Sequence, residues 1–469
     1  MPDEKSAQVD AIFSHFGAGT PGCAVAVDLQ GEMVHAAGYG MADLEQSTPI
    51  TTDSAFYAAS VSKQIVAMAM ALLAYDNKLD LDAPVGRYLP ELAEYIQLLS
   101  VRQFIHHTSG LRDYFTLHAL AGRLNNVVIT EDMVIDLLKR QHSTNFPPGS
   151  QYQYSNSGYF LLSLVAKSID GRNLHDFASE RIFKPLNMTA TRFQHNHRDL
   201  VPHKTHGYAN QTDGSYRLSD SLLNVVGSGG AYTTVTDLIR WSRNFANNTL
   251  GGGAATLDMM EASGVLNSGE TTHYGFGLRL SEYRGQDVIS HTGGLAGYRN
   301  ILLRFPQQNF SIAILCNTGD AEHRAYANAI ADIYLANILG EEAVSAKPEA
   351  AADKASTVAL PKATRARFAG AYYSDEVDNI LELSLTEGGL LVGGADTTSD
   401  VDGITLSDEG IAESSDSYFR ILPLNEHHYI NKERRMSIVF EGAPGSVPTR
   451  FTLAMPGVSE MVFSRLSDE

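Results

Sequence analysis

The sequence has little of several things, and each scarcity excludes a class of protein. Only two of its 469 residues are cysteines, so a scaffold held together by many disulfides is excluded. Tryptophan occurs once. Basic residues are outnumbered, with 35 Lys and Arg against 54 Asp and Glu, and the formal net charge is −19. Because a polyanion repels nucleic acid and anionic lipid, neither is expected as a partner.

Long apolar runs are also missing. No run approaches the length of a membrane span, and the first residues, Met1 to Lys5, form neither a basic nor an apolar segment. We therefore expect no membrane span and, for the chain as given, a cytoplasmic protein. A signal peptide that had already been removed would leave the same N-terminus.

The two cysteines, Cys23 and Cys316, each lie in an apolar run that is typical of a strand. This setting favours small, buried core residues over a disulfide. Pairing between adjacent strands stays open, because the sequence does not give the register of the strands.

The apolar content of 43% is enough for two or three domains in a chain of this length. Alternating runs predict a hairpin over 22–41 and strands over 274–281, 286–292, 298–305 and 310–316, followed by a helix over 321–339. Between about 76 and 270 the signals are mostly helical. We therefore predict an α/β domain over residues 1–340, whose sheet takes strands from both ends of the domain and has a helical insertion.

The remaining residues differ in composition. Residues 341–360 are rich in Ala, Glu, Lys and Ser without periodicity and are predicted to form a linker. From 361 to 469, short alternating runs such as Leu381 to Leu385 recur between turn signals. They predict a C-terminal antiparallel β-barrel domain, which would be lipocalin-like.

The stretch that carries the strongest chemical signal is Ser60-Val61-Ser62-Lys63, which opens an apolar helix. Residues three apart share a helix face, so Ser60 can act as a nucleophile with Lys63 as its base, provided that the amine is neutral. A Ser-x-x-Lys match is expected about once or twice by chance in a chain this long. In isolation, a serine that caps a helix and a solvated lysine explain the pattern equally well.

Two further clusters support the catalytic interpretation. Tyr154-Ser155-Asn156 lies in a turn-rich stretch, where a phenol can shuttle a proton and an amide can bind a substrate carbonyl. His291-Thr292-Gly293-Gly294 ends an apparent strand, and its glycines would let a ligand lie against the strand edge. Each cluster alone is more often an ordinary turn.

Together, the order Ser60-x-x-Lys63, Tyr154-x-Asn156, His291-x-Gly293 resembles the penicillin-recognising serine hydrolases of peptidase family S12. This group includes class C β-lactamases, DD-peptidases, D-aminopeptidases and related esterases. The resemblance covers about residues 8–340 and includes connecting segments such as 107–111 and 274–278. It implies a serine β-lactamase-like α/β sandwich with an antiparallel sheet.

The resemblance also implies roles for the matching residues. Ser60 would be the nucleophile, Lys63 its general base, and Tyr154 the group that relays the proton to the leaving group. Asn156 would bind the substrate amide together with the strand at Gly293, and His291 would orient the Tyr154 hydroxyl or steady the proton network. The backbone N–H groups of Ser60 and Gly294 would form the oxyanion hole.

Within this group the chain is most similar to the D-aminopeptidases, through segment 109–114, segment 146–150 and a third motif that begins with histidine. Penicillin-binding enzymes and most β-lactamases carry Lys or Arg where this chain has His291. A permanent cation suits a substrate carboxylate, so strong β-lactamase or carboxypeptidase activity is not expected.

The leading hypothesis is a serine peptidase or amidase that forms an acyl-enzyme with small peptides or amides, without metal or cofactor. A carboxylesterase on the same scaffold is the alternative, since the same nucleophile cleaves esters more readily. A non-catalytic ligand-binding relative is the third hypothesis, although it would have no need of Lys63 and Tyr154 together. The sequence leaves self-association into a homo-oligomer open.

Overall fold

The computed structural model describes residues 4–123, 127–340, 357–394, 403–404, 413–414, 418–443 and 445–467. The chain forms two compact units. The first unit comprises Met1–Ser109 and Gly158–Ala343, and the second comprises Gly110–Ser157 and Val344–Glu469. Among the described residues, no helix combines the length and apolar character needed to cross a bilayer.

A sheet of six strands, counted over the described residues, organises the first unit. Its strands are β1 (Cys23–Leu29), β2 (Glu32–Tyr39), β3 (Arg279–Tyr283), β4 (Gln286–Leu295), β5 (Tyr298–Phe305) and β6 (Phe310–Cys316). They lie in the order β3-β4-β5-β6-β1-β2, and every neighbouring pair is antiparallel. The predicted antiparallel sheet with strands from both ends of the domain is confirmed.

Helices cover both faces of this sheet at its centre. Alternate residues of β1 and β6, such as Val25 and Ile314, pack with Val9 and Ile330 of the helices Glu4–Ile12 and His323–Leu335. On the opposite face, helix Val235–Asn247 reaches β6 through the hydrogen-bonded hydroxyls of Ser242 and Ser311, 2.5 Å apart. Every residue of β6 is buried as a result, which explains the apolar run over residues 312–316.

The described helices, in chain order, are α1 (Glu4–Ile12), α2 (Lys63–Tyr75), α3 (Glu94–Gln97), α4 (Val101–Ile105), α5 (Tyr114–Leu120), α6 (Glu131–Arg140), α7 (Asn156–Asp170), α8 (Leu174–Ala178), α9 (Val235–Asn247), α10 (Gly253–Glu261), α11 (His323–Leu335) and α12 (Lys362–Ala366). Short strands lie at Met41–Asp43, Thr48–Pro49, Phe56–Tyr57, Ile129–Thr130, Arg192–Phe193, Tyr208–Asn210, Tyr216–Leu218, Leu223–Asn224, Ala231–Thr233, Gly403–Ile404 and Glu413–Ser414. The concentration of helices between β2 and β3 confirms the helical insertion.

One predicted strand was partly wrong. The alternation over 274–281 predicts a strand from Tyr274, but β3 begins only at Arg279. The preceding residues form an irregular turn in which Gly277 has a φ of +71° and approaches the backbone of Lys63. A positive φ does not fit a strand. Phe276 of this turn is buried outside the sheet, with its ring 5.4 Å from the His106 ring and its N–H donating to the Met260 carbonyl at 2.9 Å.

The C-terminal part of the second unit is a closed antiparallel barrel of eight strands within the described residues. Its strands are β7 (Gly370–Ser374), β8 (Asn379–Leu385), β9 (Leu390–Gly394), β10 (Tyr418–Pro423), β11 (His428–Asn431), β12 (Met436–Glu441), β13 (Arg450–Met455) and β14 (Val458–Arg465). Pairing of β7 with β14 closes the barrel, and the predicted C-terminal β-barrel is confirmed. The domain boundaries at 340 and 361 stay predictions, and residues 341–356 of the predicted linker lie outside the described residues.

The expectation that Cys23 and Cys316 are unpaired core residues was wrong in one respect. Both are buried, as expected, but their sulfurs form a disulfide. The two residues face each other in the antiparallel register of β1 and β6, with Cα atoms 4.0 Å apart. The sequence shows two apolar strands but not which residues of them stand opposite each other, so it could not decide the pairing.

We predict that thiol titration of the protein, unfolded without reductant, finds no free thiol. After reduction, or in Cys23→Ala with Cys316→Ala, the free energy of unfolding should fall by about 2–4 kcal/mol, because the bond closes a long loop of the unfolded chain. Chemical unfolding with and without reductant measures this loss. Two free thiols in the unreduced protein would contradict the pairing.

Candidate active site

The predicted nucleophile lies at a junction between two kinds of helix. Ser60 belongs to a 3₁₀ turn, Ala59–Ser62, and the α-helix α2 begins at Lys63. In a 3₁₀ turn, residues three apart are eclipsed, which brings the two side chains together directly. The Lys63 Nζ atom donates to Ser60 Oγ at 3.1 Å, and both residues are buried. Ala59, just before Ser60, has a φ of +48°, a backbone strain that is common at functional sites.

The Lys63 amine is held by backbone as well as by Ser60. Its Nζ atom donates to the carbonyl oxygen of Ser228 at 2.6 Å and lies 5.6 Å from the centre of the Tyr159 ring. Ser228 precedes the short strand Ala231–Thr233, which pairs with Phe56–Tyr57 just before the nucleophile. The segment that fixes the lysine is therefore itself fixed to the strand that leads into Ser60.

A set of hydrogen bonds ties this segment to the nucleophile turn. The Ala58 N–H donates to the Ala231 carbonyl at 2.8 Å, and the Ala231 N–H donates to Ser62 Oγ at 3.3 Å. The Gly230 N–H donates to the Tyr57 hydroxyl at 3.1 Å. Burial raises the pKa of Tyr57 to about 12, so this hydroxyl stays protonated. Ser62, the other serine of the Ser-x-x-Lys stretch, has a structural contact of its own.

The third motif reaches the nucleophile through a glycine. Gly293 lies near the end of β4, and a Cβ atom placed on it would come within 2.3 Å of the Ala58 carbonyl oxygen and 3.1 Å of the Ser60 nitrogen. A side chain at this position would overlap the backbone of the nucleophile turn. Gly294 is different, since a Cβ atom there would first meet Arg299 at 3.7 Å. The close approach thus explains the glycine at 293.

His291, also on β4, is fully buried and bonded at both ring nitrogens. Its Nδ1 atom lies 2.6 Å from the Thr292 carbonyl oxygen, and its Nε2 atom lies 2.8 Å from the Tyr274 hydroxyl. A carbonyl only accepts, so Nδ1 carries the hydrogen and Nε2 accepts from Tyr274. Burial and the nearby Lys63 charge lower the pKa of His291 well below its usual value. The histidine is therefore a neutral member of the site.

Tyr274 and His107 are site residues to which the sequence reasoning gave no role. The His107 ring lies 4.7 Å from the Tyr274 ring and 5.1 Å from the Tyr159 ring, centre to centre, so the three form an aromatic wall beside Lys63 and His291. Burial lowers the pKa of His107 well below its usual value, and the nearby Lys63 charge adds to this effect. Both residues lie in segments, 107–111 and 274–278, that resemble connecting segments of the family. This resemblance is the signal in the sequence that points to them.

Tyr154 and Asn156 lie in the second unit. Asn156 begins helix α7, and both its backbone N–H and its Nδ2 atom donate to Asp113 Oδ2, at 2.6 and 2.9 Å. The structure thus brings Ser60, Lys63, His291 and Gly293 together within the first unit and gives Asn156 a buried carboxylate partner in the second. The catalytic roles of all these residues stay predictions.

Comparison with known proteins places the chain in a family. The β-lactamase family model matches residues 9–336, and the chain belongs to this family. D-aminopeptidase from Gluconobacter oxydans (strain 621H) is 28% identical over 333 residues, which are 71% of this chain and 62% of that protein. Penicillin-binding protein 4* from Bacillus subtilis (strain 168) is 28% identical over 357 residues, 73% of this chain and 77% of that protein.

A solved structure extends the similarity over nearly the whole chain. The octameric penicillin-binding protein homologue from Pyrococcus abyssi superposes with a TM-score of 0.61 at 18% identity, covering 97% of each chain. At this identity the likeness concerns the fold. It agrees with a β-lactamase-like domain followed by a β-barrel.

The buried neutral histidines predict how stability depends on pH. Burial lowers the pKa of His106 to about 4, and it lowers that of His107 and His291 well below 6.5. The unfolded chain takes up protons at these sites below about pH 6.5 whereas the folded protein does not. Stability from these groups is therefore present above that pH and falls as the pH drops, by about 1.4 kcal/mol per pH unit for each histidine.

In His291→Gln we expect the free energy of unfolding to fall less steeply than in the wild type between pH 6.5 and 5, by about 1.4 kcal/mol per pH unit. Urea unfolding at several pH values measures the slope. His15→Gln, which replaces an exposed histidine, is the control for the loss of a histidine. Equal slopes in all three proteins would show that His291 is protonated in the folded state.

The close approach at Gly293 predicts that Gly293→Ala lowers kcat/KM on any substrate by about 10-fold or more, since the nucleophile turn must move. The added methyl should also lower the free energy of unfolding by about 1–3 kcal/mol. Gly19→Ala is the control, because a Cβ atom there meets nothing within 4 Å. Wild-type kinetics in Gly293→Ala would mean that the strand end is not held against Ser60.

Proposed function

We propose that the protein is a serine hydrolase that works through an acyl-enzyme, and that it is a D-aminopeptidase-like amidase of small peptides or amides. The observation that carries the proposal is the contact of 3.1 Å between Ser60 Oγ and the Nζ atom of a fully buried lysine, Lys63. A serine becomes a nucleophile when a positioned base takes its proton, and a lysine within hydrogen-bond distance can do so in its neutral form.

In the proposed reaction, Ser60 Oγ attacks the substrate carbonyl carbon while the Lys63 amine takes the hydroxyl proton. Tyr154 passes a proton to the leaving nitrogen, the C–N bond breaks, and the acyl group stays on Ser60 as an ester. A water molecule then attacks this ester and releases the acid and the free serine. Asn156 binds the substrate amide and keeps the carbonyl in place for both steps. The roles of Tyr154 and Asn156 rest on the order of the three motifs.

The oxyanion of the tetrahedral intermediate would be stabilised by the backbone N–H groups of Ser60 and Gly294. The nearness of Gly293 to the Ser60 nitrogen supports this, because it sets the end of β4 beside the nucleophile turn. An N–H donor at such a place is worth about 3–4 kcal/mol of transition-state stabilisation. His291 then serves as a neutral hydrogen-bonding residue beside Lys63.

The neutral charge of His291 and the kinds of relatives that the chain has support the proposed substrate class. A neutral His291 cannot itself pair with a substrate carboxylate, which weighs against substrates that need such a partner from this residue, such as penicillins or C-terminal D-alanine peptides. The nearby guanidinium of Arg324 donates from Nη2 to the Thr292 hydroxyl at 3.1 Å. D-aminopeptidases from several bacteria are among the relatives, at 28–31% identity. A carboxylesterase on the same scaffold is the alternative, because an ester needs less assistance to its leaving group than an amide.

Two further expectations belong to this proposal. A homo-oligomer is supported by the relative from Pyrococcus abyssi, which is described as octameric. The cytoplasmic location expected from the N-terminus is weakened by the Cys23–Cys316 disulfide, since such bonds persist mainly in oxidising compartments. We therefore propose that the protein works where disulfides are stable.

The decisive measurement is hydrolysis of D-alanine p-nitroanilide, its L-isomer, p-nitrophenyl butyrate and a chromogenic cephalosporin. We expect turnover of the D-anilide, with the cephalosporin hydrolysed slowly or not at all. In Ser60→Ala, turnover should fall by about 10⁴-fold or more, because the covalent step is lost.

Ser14→Ala is the matched control, since it removes the hydroxyl of an exposed serine, which donates to the Ala11 carbonyl and takes no part in the contacts around Ser60. Turnover of the ester alone, lost in Ser60→Ala, would make the protein an esterase. Equal turnover in the wild type and in Ser60→Ala would refute the proposed nucleophile altogether.

A further inference from the structure

The hairpin turn between β13 and β14 of the barrel, Pro456–Gly457, contacts the polypeptide segment that carries Tyr154 and Asn156. Both belong to the second unit. The Gly457 carbonyl oxygen accepts from the Asp113 N–H at 2.9 Å and from Asn145 Nδ2 at 3.0 Å. The Pro456 carbonyl oxygen accepts from the Thr116 hydroxyl at 3.0 Å. A two-residue turn thus supplies acceptors for three donors of a distant segment.

Asp113 connects the turn to Asn156, one end of the Tyr154-x-Asn156 motif. Its Oδ2 atom accepts from the backbone N–H and from the Nδ2 atom of Asn156, and its Oδ1 atom accepts from the N–H groups of Phe115 and Thr116 at the start of α5. A carboxylate only accepts, so this contact fixes which end of the Asn156 amide is the nitrogen. Asp113 and Asn156 are buried, which leaves the carboxylate no water to exchange for these donors.

Asn145 connects the same turn to Gln153, next to Tyr154 at the other end of the motif. Its Nδ2 atom also donates to Gln153 Oε1 at 2.5 Å, and its Oδ1 atom accepts from the Ser459 N–H at 2.8 Å. Gln153 is the residue before Tyr154. The Pro456–Gly457 turn is therefore linked to Asn156 through Asp113, and to Gln153, beside Tyr154, through Asn145.

A buried ion pair strengthens the same junction. Arg112, next to Asp113, pairs with Glu376 of the β7–β8 turn, and its Nη2 atom donates to the Ser459 carbonyl oxygen at 3.0 Å. The Arg112 carbonyl in turn accepts from the Ser157 hydroxyl at 2.6 Å, one residue after Asn156. Both charges are almost fully buried, so breaking the pair would leave an uncompensated charge.

Gly457 itself fits only as glycine. Its φ is +87°, and a Cβ atom on it would lie 2.8 Å from Asp113 Cβ and 2.8 Å from Thr116 Oγ1. The residue thus allows a close approach at the point where the turn meets Asp113. Gly388 offers a direct comparison within the same barrel. It lies in the β8–β9 turn with a φ of +77°, and a Cβ atom on it meets nothing within 4 Å.

We propose that the Pro456–Gly457 turn is a positioning element for the Tyr154-x-Asn156 motif, and that it acts through Asp113 and Asn145. This inference rests on the catalytic role proposed for that motif. The barrel then sets how well the motif binds and orients the substrate amide. Asp113 and Asn145 are positioning residues, because each acts through a neighbour of the reacting groups.

The test compares Gly457→Ala with Gly388→Ala, which share the backbone strain of alanine at positive φ but differ in the contact with Asp113. We expect Gly457→Ala to lower kcat/KM on the amide substrate by about 10- to 100-fold, the cost of a small displacement of a catalytic group. Gly388→Ala should keep the wild-type value. Melting temperatures of both variants report how much of each effect is loss of folded protein.

A double-mutant cycle with Asn156→Ala separates positioning from general destabilisation. If the turn acts through Asn156, Gly457→Ala should have little further effect on kcat/KM in the Asn156→Ala background. Asn145→Leu, which removes the hydrogen bonds of this amide with the Gly457 carbonyl and with the Ser459 N–H, provides the same comparison should Gly457→Ala not fold. A fall in melting temperature without a change in kcat/KM of the folded enzyme is the signature of a merely structural contact.

Three results would overturn the inference. The first is equal kcat/KM in Gly457→Ala and Gly388→Ala, with Asn145→Leu also like the wild type. The second is additivity of Gly457→Ala and Asn156→Ala. The third is wild-type kinetics in Asn156→Ala itself while Ser60→Ala is inactive, in which case the nucleophile stands and the role of the motif fails. Activity that survives in Ser60→Ala instead concerns the proposed function and is recognised separately.

Discussion

A buried lysine amine must find its hydrogen-bond partners inside the protein, and much of the first unit is arranged around the amine of Lys63. The Ser228 carbonyl and the Ser60 hydroxyl both lie within hydrogen-bond distance of it. The strand Ala231–Thr233 fixes the first of these partners to the strand that leads into the second. Burying a polar group without such partners costs several kcal/mol. The arrangement that satisfies the amine also places it beside the Ser60 hydroxyl, as the proposed role of Lys63 as a base requires.

Burial also explains why the histidines near Lys63 are neutral. Burial lowers the pKa values of His107 and His291 well below the usual value, and the nearby Lys63 charge adds to this effect. Neutral rings can approach the lysine, whereas a second cation in the same buried space would be repelled. The Thr292 carbonyl, which only accepts, selects the tautomer with the hydrogen on Nδ1, and Nε2 then accepts from the Tyr274 hydroxyl. The histidine of the third motif therefore differs from a lysine or arginine there in charge as well as in shape.

The sequence predicted the architecture well where the patterns were periodic. Strands β4, β5 and β6 were found nearly in full because each is bounded by turns, and the barrel was found because its strands alternate. The pairing of Cys23 with Cys316 was missed because register is a property of two strands, which one strand's pattern does not contain. The predicted strand start at Tyr274 was wrong because apolar residues such as Phe276 are buried against His106 and Met260 instead of within a sheet.

For the candidate site, sequence reasoning identified residues that carry recognisable motifs and missed those that hold them. Ser60 and Lys63 are three residues apart, a spacing at which side chains on a helix can touch. The structure shows this contact. Ser228 carries no motif, because a backbone carbonyl can come from any residue that the fold brings near. Tyr274 and Asp113 lie in family-like segments, but the pattern of these segments does not give a single residue its contact. Their contribution depends on long-range contacts, such as that of Asp113 with Asn156, 43 residues apart along the chain.

The division of the chain has a consequence for how this protein can be cut or recombined. A protein ending at residue 340 would keep Arg112 and Asn145 but lose Glu376, Gly457 and Ser459, so it would expose a buried guanidinium and several unpaired donors. The barrel is therefore not an interchangeable appendage. A variant without the barrel would need compensating changes in the 110–157 segment, and a chimera that joins this segment to a foreign barrel would meet the same mismatch.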